Sequence, residues 1–189
     1  MSVSLRCYST SLGCPKNRVD TERLLGSLGA ALVPVGSPDE ADLVFINTCA
    51  FIQPATEESV RTIAQAIADI EDLPKRPLLA VAGCLVGRYH AEDLAPELPE
   101  VDLWLDNSDL EEWPAMLARK LGLPEPTVPG RILSTGPSYA WLKISDGCRH
   151  ACSFCAIPNI RGGHRSHCKD MIVREARALL DQGVKELNL

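Results

Sequence analysis

Two short runs, "DLVFINT" (42–48) and "PLLAVAG" (77–83), do most to limit the folds open to this chain. Both are apolar without alternation, so such strands have to be covered on both faces, the usual situation in a parallel sheet between helical layers. The intervening segments supply the helices. "RVDTERLLGSLG" (18–29) sets Leu24, Leu25 and Leu28 on one face and stops at a glycine. "TEESVRTIAQAIADI" (56–70) opens with Glu57 and Glu58 and then repeats Val60, Ile63, Ala64, Ile67 and Ile70 at helical spacing. "VSLRCYS" (3–9) and "VDLWL" (101–105) read as further strands, and Ser108 with Glu111 suggests a capping box for a helix whose interior Pro114 would disturb. Strand and helix in alternation predict the α/β class, with a doubly wound parallel sheet over residues 1–123.

Residues 124–138, rich in proline and glycine, read as a linker. A strand at "YAWLKIS" (139–145), a cysteine-bearing loop, an amphipathic helix at "MIVREARALLDQG" (171–183) and a strand starting at "KELNL" (185–189) follow. Residues 139–189 therefore read as the first βα portion of a (β/α) barrel, and a chain that stops on a strand just after such a unit reads as cut. The 189 residues are 46% hydrophobic, enough for a buried core. A net charge of −6 argues against broad nucleic-acid backbone binding and leaves a basic protein partner or a local basic patch open. No apolar run approaches the roughly 20 residues that cross a bilayer, and the first residues lack the features of a signal peptide. The expected compartment is the cytoplasm, where eight cysteines speak for metal binding or catalysis rather than a disulfide framework.

Cys148, Cys152 and Cys155 are spaced C-x3-C-x2-C within "DGCRHACSFCAIPNIRG" (146–162). A structural zinc site would take a fourth ligand, with His150, His164, His167 and Cys168 as candidates, and a ferredoxin would carry a different spacing. Three thiolates can instead hold three irons of a four-iron cluster and leave the fourth iron open to a small molecule. The loop lies between a strand and a helix, the position of catalytic loops in (β/α) barrels. Upstream, Cys14, Cys49 and Cys84 each follow a predicted strand. The carboxyl ends of the strands in a doubly wound sheet line one crevice, so these thiols would meet there; three separate core cysteines are the alternative.

"SLGCPKN", "NTCAFI" and "KISDGC" with the C-x3-C-x2-C loop resemble the radical S-adenosylmethionine methylthiotransferase family, in its branch that modifies a ribosomal protein. The resemblance covers nearly the whole chain and implies two [4Fe-4S] clusters. Cys14, Cys49 and Cys84 match the ligands of an auxiliary cluster, and Cys148, Cys152 and Cys155 those of the cluster that binds S-adenosyl-L-methionine. Cys7 and Cys168 fall outside both motifs, and "RGGHRSHC" departs from the commoner "RG…SRP". The implied reaction is methylthiolation of an aspartate β-carbon on a small-subunit ribosomal protein, with an electron donor such as flavodoxin or ferredoxin. It needs hydrogen abstraction from an unactivated carbon, which the cofactor supplies, so no side chain is assigned as acid, base or nucleophile. A transfer-RNA methylthiotransferase and a non-catalytic iron–sulfur or zinc-binding fragment are the alternatives. The chain alone is expected to show little turnover.

Around these motifs, Asp146 and Gly147 are expected to shape the loop. Arg161 reads either as a contact to S-adenosylmethionine or substrate, or as a solvated loop residue. Asn17 and Asn47 read as capping or turn residues, and His164 and His167 as loop residues rather than ligands.

Overall fold

The computed structural model describes residues 5–29, 32–126 and 130–189. In chain order the elements are β1 (Leu5–Ser11), α1 (Pro15–Ser27), β2 (Leu32–Pro34), β3 (Leu43–Thr48), α2 (Gln53–Ile70), β4 (Leu78–Gly83), α3 (Cys84–Tyr89), α4 (Ala91–Leu94), β5 (Leu103–Asp106) and α5 (Trp113–Leu121). After these come β6 (Tyr139–Trp141), β7 (Ser145–Asp146), α6 (Ile157–Arg161), β8 (Arg165–Ser166), α7 (Lys169–Asp181) and β9 (Glu186–Asn188). The expected start of the first strand at Val3 lies outside the described residues.

The first five strands form one parallel sheet in the order β2-β1-β3-β4-β5. Chain direction across the sheet reverses between β1 and β3, which makes that gap the switch point of a doubly wound fold. The continuous apolar runs are explained by side-chain alternation between two cores. From β3 and β4, Val44, Ile46, Leu79 and Val81 face Ile63, Ala66 and Ile70 of α2 and Leu85 and Val86 of α3. Leu43, Phe45, Ala80 and Ala82 point the other way, onto Leu24 and Leu25 of α1 and Trp113 and Leu117 of α5. Both faces are thus covered, and every residue of β3 is buried.

Four of the helices, α1, α2, α5 and α6, carry a proline in the first turn, where a missing N–H costs nothing and the fixed φ suits helix entry. Pro114 is one of them and starts α5 rather than disturbing its interior, so the expected capping box at Ser108 and Glu111 is absent. Asp106 accepts the Ser108 N–H instead, and α5 begins five residues beyond Ser108.

The expected strand at 139–145 is two strands. β6 pairs in parallel with β9, while β7 pairs antiparallel with β8. The break falls at Lys143, whose ammonium turns inward to carboxylates on α1 and β7. With α7 as the crossover, β6, α7 and β9 form a βαβ unit over a small core of Ala140, Leu142, Leu179 and Val184. In the segment that reads as a linker, residues 130–134 lie against α1. Arg131 pairs with buried Glu22 at 2.7 Å and with Glu175 of α7 at 2.8 Å, and Ser134 N–H and Oγ donate to Glu22 Oε1. Among the described residues no helix is long and apolar enough to cross a membrane.

Candidate functional site: two cysteine sets and the charged seam between them

Cys14 is the N-cap of α1 after β1, Cys49 follows β3, and Cys84 opens α3 directly after β4. Two of the three therefore flank the switch point of the sheet, and the third lies one strand over. Cys14 is exposed, whereas Cys49 and Cys84 are buried. Their closeness is visible at Gly13: with φ at +82°, a Cβ there would sit 2.5 Å from Cys49 Cβ and 2.6 Å from its Sγ. Only a glycine lets the β1 loop come this near to Cys49. Burial pushes the Cys84 thiol above its ordinary value; Arg161 opposes that rise, and Cys49 and Cys14 add to it.

The strand ends that carry these cysteines are fixed by buried polar groups. Thr48 Oγ1 donates to Ala82 O at 2.6 Å and accepts from Leu85 N–H at 3.2 Å, joining the ends of β3 and β4. Ser59 Oγ of α2 accepts from Cys49 N–H at 3.0 Å and donates to Cys49 O at 2.7 Å. Rather than capping or turning, Asn17 ties two strand ends together and Asn47 ties the end of β3 to α1. Asn17 Nδ2 donates to Leu12 O at 2.9 Å and to Thr48 O at 2.8 Å, and Asn47 Nδ2 donates to Asn17 O at 2.9 Å. Asn17 Oδ1 is left facing Cys84 Sγ, 3.7 Å away.

Cys148, Cys152 and Cys155 occupy the loop between β7 and α6. Gly147 precedes it at φ +69°, so packed on Gly162 and Gly163 that a Cβ would collide with both carbonyl oxygens. Cys148 N–H donates to Gly162 O at 3.1 Å, and Cys155 N–H to Cys152 O at 3.0 Å, which curls the loop on itself. Cys152 is exposed and the other two are half-buried. Asp146 shapes the loop as expected, accepting the Gly147 N–H at 2.9 Å. His164 lies 3.4 Å from Arg149 in the exposed loop region. His167 N–H is bonded to Ile144 O; burial, together with Arg23 and Lys143, pushes its ring below the ordinary histidine value.

Arg161 is neither solvated nor on a loop. It is the last residue of α6, 8% exposed, and its guanidinium enters a seam of buried charge. Its Nη1 lies 2.8 Å from Asp146 Oδ2 and 3.3 Å from Asp20 Oδ2, and its Nη2 donates to Asn17 Oδ1 at 2.5 Å. Lys143 Nζ completes the group at 2.6 Å from Asp20 Oδ1 and 2.5 Å from Asp146 Oδ2. Burial would raise the Asp146 carboxyl, but Lys143 and Arg161 prevail and hold it below the ordinary range. Burial alone would lower Arg161; Asp20, Cys84, Asp146 and Cys14 outweigh it and raise the guanidinium further. Asp20 and Lys143 went unnoticed in the sequence. Their only signal is a charged residue inside an otherwise ordinary helix and strand pattern.

Among the described residues, no three His, Cys, Asp or Glu side chains converge on a position for a single metal ion. Each set offers three thiols, the donor chemistry of iron–sulfur clusters, in which each thiolate holds a different iron and the sulfurs stand wider apart than around one ion. The Cys14 set also has what such a group needs nearby: a loop with no room for a Cβ at Gly13, and a buried Asn47 Oδ1 without a partner among the described residues. The Cys14 set has the donors and the space that a cluster would take, and the Cys148 set offers the same thiol donors.

A doubly wound α/β sheet with thiols beside its switch point presents the crevice, at the carboxyl ends of its strands, where proteins of this architecture bind ligands. The chain belongs to Uncharacterized protein family UPF0004, whose model matches residues 6–106. It is also similar to proteins named Ribosomal protein uS12 methylthiotransferase RimO. It is 69% identical over 182 residues to that of Nitratidesulfovibrio vulgaris (strain DP4), covering 96% of this chain and 42% of the relative. The protein of that name from Lawsonia intracellularis is 58% identical over 189 residues, 100% of this chain and 43% of the relative. That from Aquifex aeolicus is 49% identical over 178 residues, 94% and 39%. The chain spans about two fifths of the length of these curated relatives.

Proposed function

We propose that this chain is the cysteine-bearing portion of a radical S-adenosylmethionine methylthiotransferase acting on a ribosomal protein. The observation that carries the reading is the similarity along 96% of the chain to relatives named for methylthiotransfer to uS12. The two separate three-thiol sets support it. In this reading Cys14, Cys49 and Cys84 hold an auxiliary [4Fe-4S] cluster, and Cys148, Cys152 and Cys155 hold a second one whose open iron binds S-adenosyl-L-methionine. Bound together, these groups supply radical chemistry able to replace a C–H bond by C–S on an aspartate β-carbon. The residues of the chain do the holding. Gly13 and Gly147 permit the close loop approaches, and Ser59, Thr48 and Asn17 fix the strand ends that carry the thiols. The paired charges Asp20, Lys143, Asp146 and Arg161 keep the second loop against the first site. The substrate is a small-subunit ribosomal protein, and a flavodoxin or ferredoxin is the electron source. The division into 1–123, a joining segment at 124–138 and the start of a radical core at 139–189 goes with this reading. The names of the relatives favour the ribosomal-protein branch over the transfer-RNA branch.

The test is anaerobic reconstitution with iron and sulfide, followed by iron counting and Mössbauer spectroscopy, on this chain and on its Cys148/Cys152/Cys155→Ala variant. About eight irons falling to about four is the expected result. Zinc in place of iron, or a single cluster indifferent to the triple substitution, would overturn the reading in favour of a non-catalytic binding fragment.

A further inference from the structure

We infer that Arg161 is a positioning residue lent by the segment behind the second cysteine set to the first: its guanidinium, clamped by Asp20 and Asp146, sets a fixed positive charge beside Cys84, so that the Cys14–Cys49–Cys84 site is complete only when this segment is docked on α1. The inference rests on the iron–sulfur reading above and adds to the first site a residue other than its three cysteines.

The argument starts from the cost of burying charge. A guanidinium and an ammonium withdrawn from water are tolerated only when paired and hydrogen-bonded. Asp20 and Asp146 pair with both Lys143 and Arg161, so two cations and two carboxylates balance. A purely structural role would end there, with Nη1 of Arg161 between the two carboxylates and Nη2 also reaching Asp20 Oδ2 at 3.3 Å. The guanidinium goes further. Its Nη2 donates at 2.5 Å to Asn17 Oδ1, the same oxygen that lies 3.7 Å from Cys84 Sγ. Asn17 has no freedom to turn away, because its Nδ2 is bonded to the carbonyls of Leu12 and Thr48 on two different strand ends. The approach of α6 is equally tight: at Gly87, one turn beyond Cys84, a Cβ would stand 2.5 Å from Ile160 O. Lys16 Nζ adds a second tie, donating to Ser145 O at 2.7 Å across the seam. The charge of Arg161 is thus delivered from one motif to the thiols of the other by rigid parts. A fixed cation near a cluster eases its reduction, since charge and hydrogen bonding around the sulfurs set the potential.

The experiment isolates the first site. The chain carrying Cys148/Cys152/Cys155→Ala is reconstituted anaerobically and compared with the same chain bearing Arg161→Gln, Arg161→Met or Arg161→Lys. Iron content, circular dichroism and an EPR-monitored redox titration are recorded. The neutral variants are expected to keep the iron of the parent but to show about a tenfold lower ratio of reduced to oxidised cluster at a fixed poise, or about 59 mV for one electron. Arg161→Lys should stay close to the parent. A neutral variant that holds iron with an unshifted ratio overturns the inference and leaves the cluster reading standing. A parent chain that takes up no iron overturns both. If neither neutral variant folds, the lysine variant decides: a parent-like ratio supports a role for charge, and a tenfold shift overturns it.

Discussion

Three of the six motif cysteines follow a glycine held at positive φ: Gly13 at +82°, Gly83 at +98° and Gly147 at +69°. The "GC" pairs stand openly in the sequence, yet only the last of them suggested a backbone role. What the sequence could not reveal is what each glycine touches. At Gly13 the neighbour is Cys49, 36 residues away and on another strand end, so the constraint is tertiary. Gly13→Ala combines a disfavoured φ with a collision against Cys49 Sγ. It should cost about 1–3 kcal/mol, and it should displace the Cys49 side chain. The expected outcome is a chain that keeps its far-UV circular dichroism but loses about half its reconstituted iron, with the remainder held by the Cys148 set. Iron content equal to that of the parent would count against close packing of the β1 loop on Cys49.

At the scale of the element, the strands and long helices were legible because their patterns are set locally. The runs at 42–48 and 77–83 are β3 and β4 nearly to the residue. The 56–70 helix gains three residues at its start, where Pro54 belongs to the first turn. The misses have a common cause. β2 has three residues, α3 six, α4 four and α6 five, all too short for a hydrophobic period to register. The split of 139–145 into β6 and β7 was hidden because Lys143 finds its counter-charges on other elements. The helices that were legible also carry the core. Ile63, fully buried on α2, packs on the β3 and β4 side chains. Ile63→Ala should cost about 2–5 kcal/mol, read as a lowered midpoint in urea with an unchanged slope. A cost below about 1 kcal/mol would show that this face of the sheet is loosely packed.

For the molecule as a whole, the sheet domain meets the later segment in two places: along α1, where the contact is ionic, and along α3, where Ile160 of α6 joins the apolar core. Asp20 and Glu22, both almost fully buried on that helix, take their partners from residues 131–161. Arg23 of α1 and Arg131 both reach Glu175 of α7. None of this was readable beforehand, since a carboxylate inside a helix looks the same in sequence whether it faces water or another unit. Glu22→Gln removes a charge facing the nearly buried Arg131. Arg131 keeps Glu175 as a partner, so the loss should fall below the about 3–5 kcal/mol of a fully unpaired buried cation. The variant should be cut by protease near residues 130–134 well before the sheet is digested, whereas protection equal to that of the parent would mean that the pair contributes little.

That same seam implies a chronology. β1 lies between β2 and β3, so the N-terminal strand stays half-paired until β3 has been made, after which β4 and β5 add outward in order. All the strands of this sheet precede residue 107, while the cations that neutralise Asp20 and Glu22 arrive at positions 131, 143 and 161. During synthesis these two carboxylates therefore face water on an open side of α1, and helix and sheet form around hydrated charge. Only when the later segment emerges does that water leave. On the inference drawn above, the first thiol site then matures only after residue 161 has emerged, well after its own strands have been made.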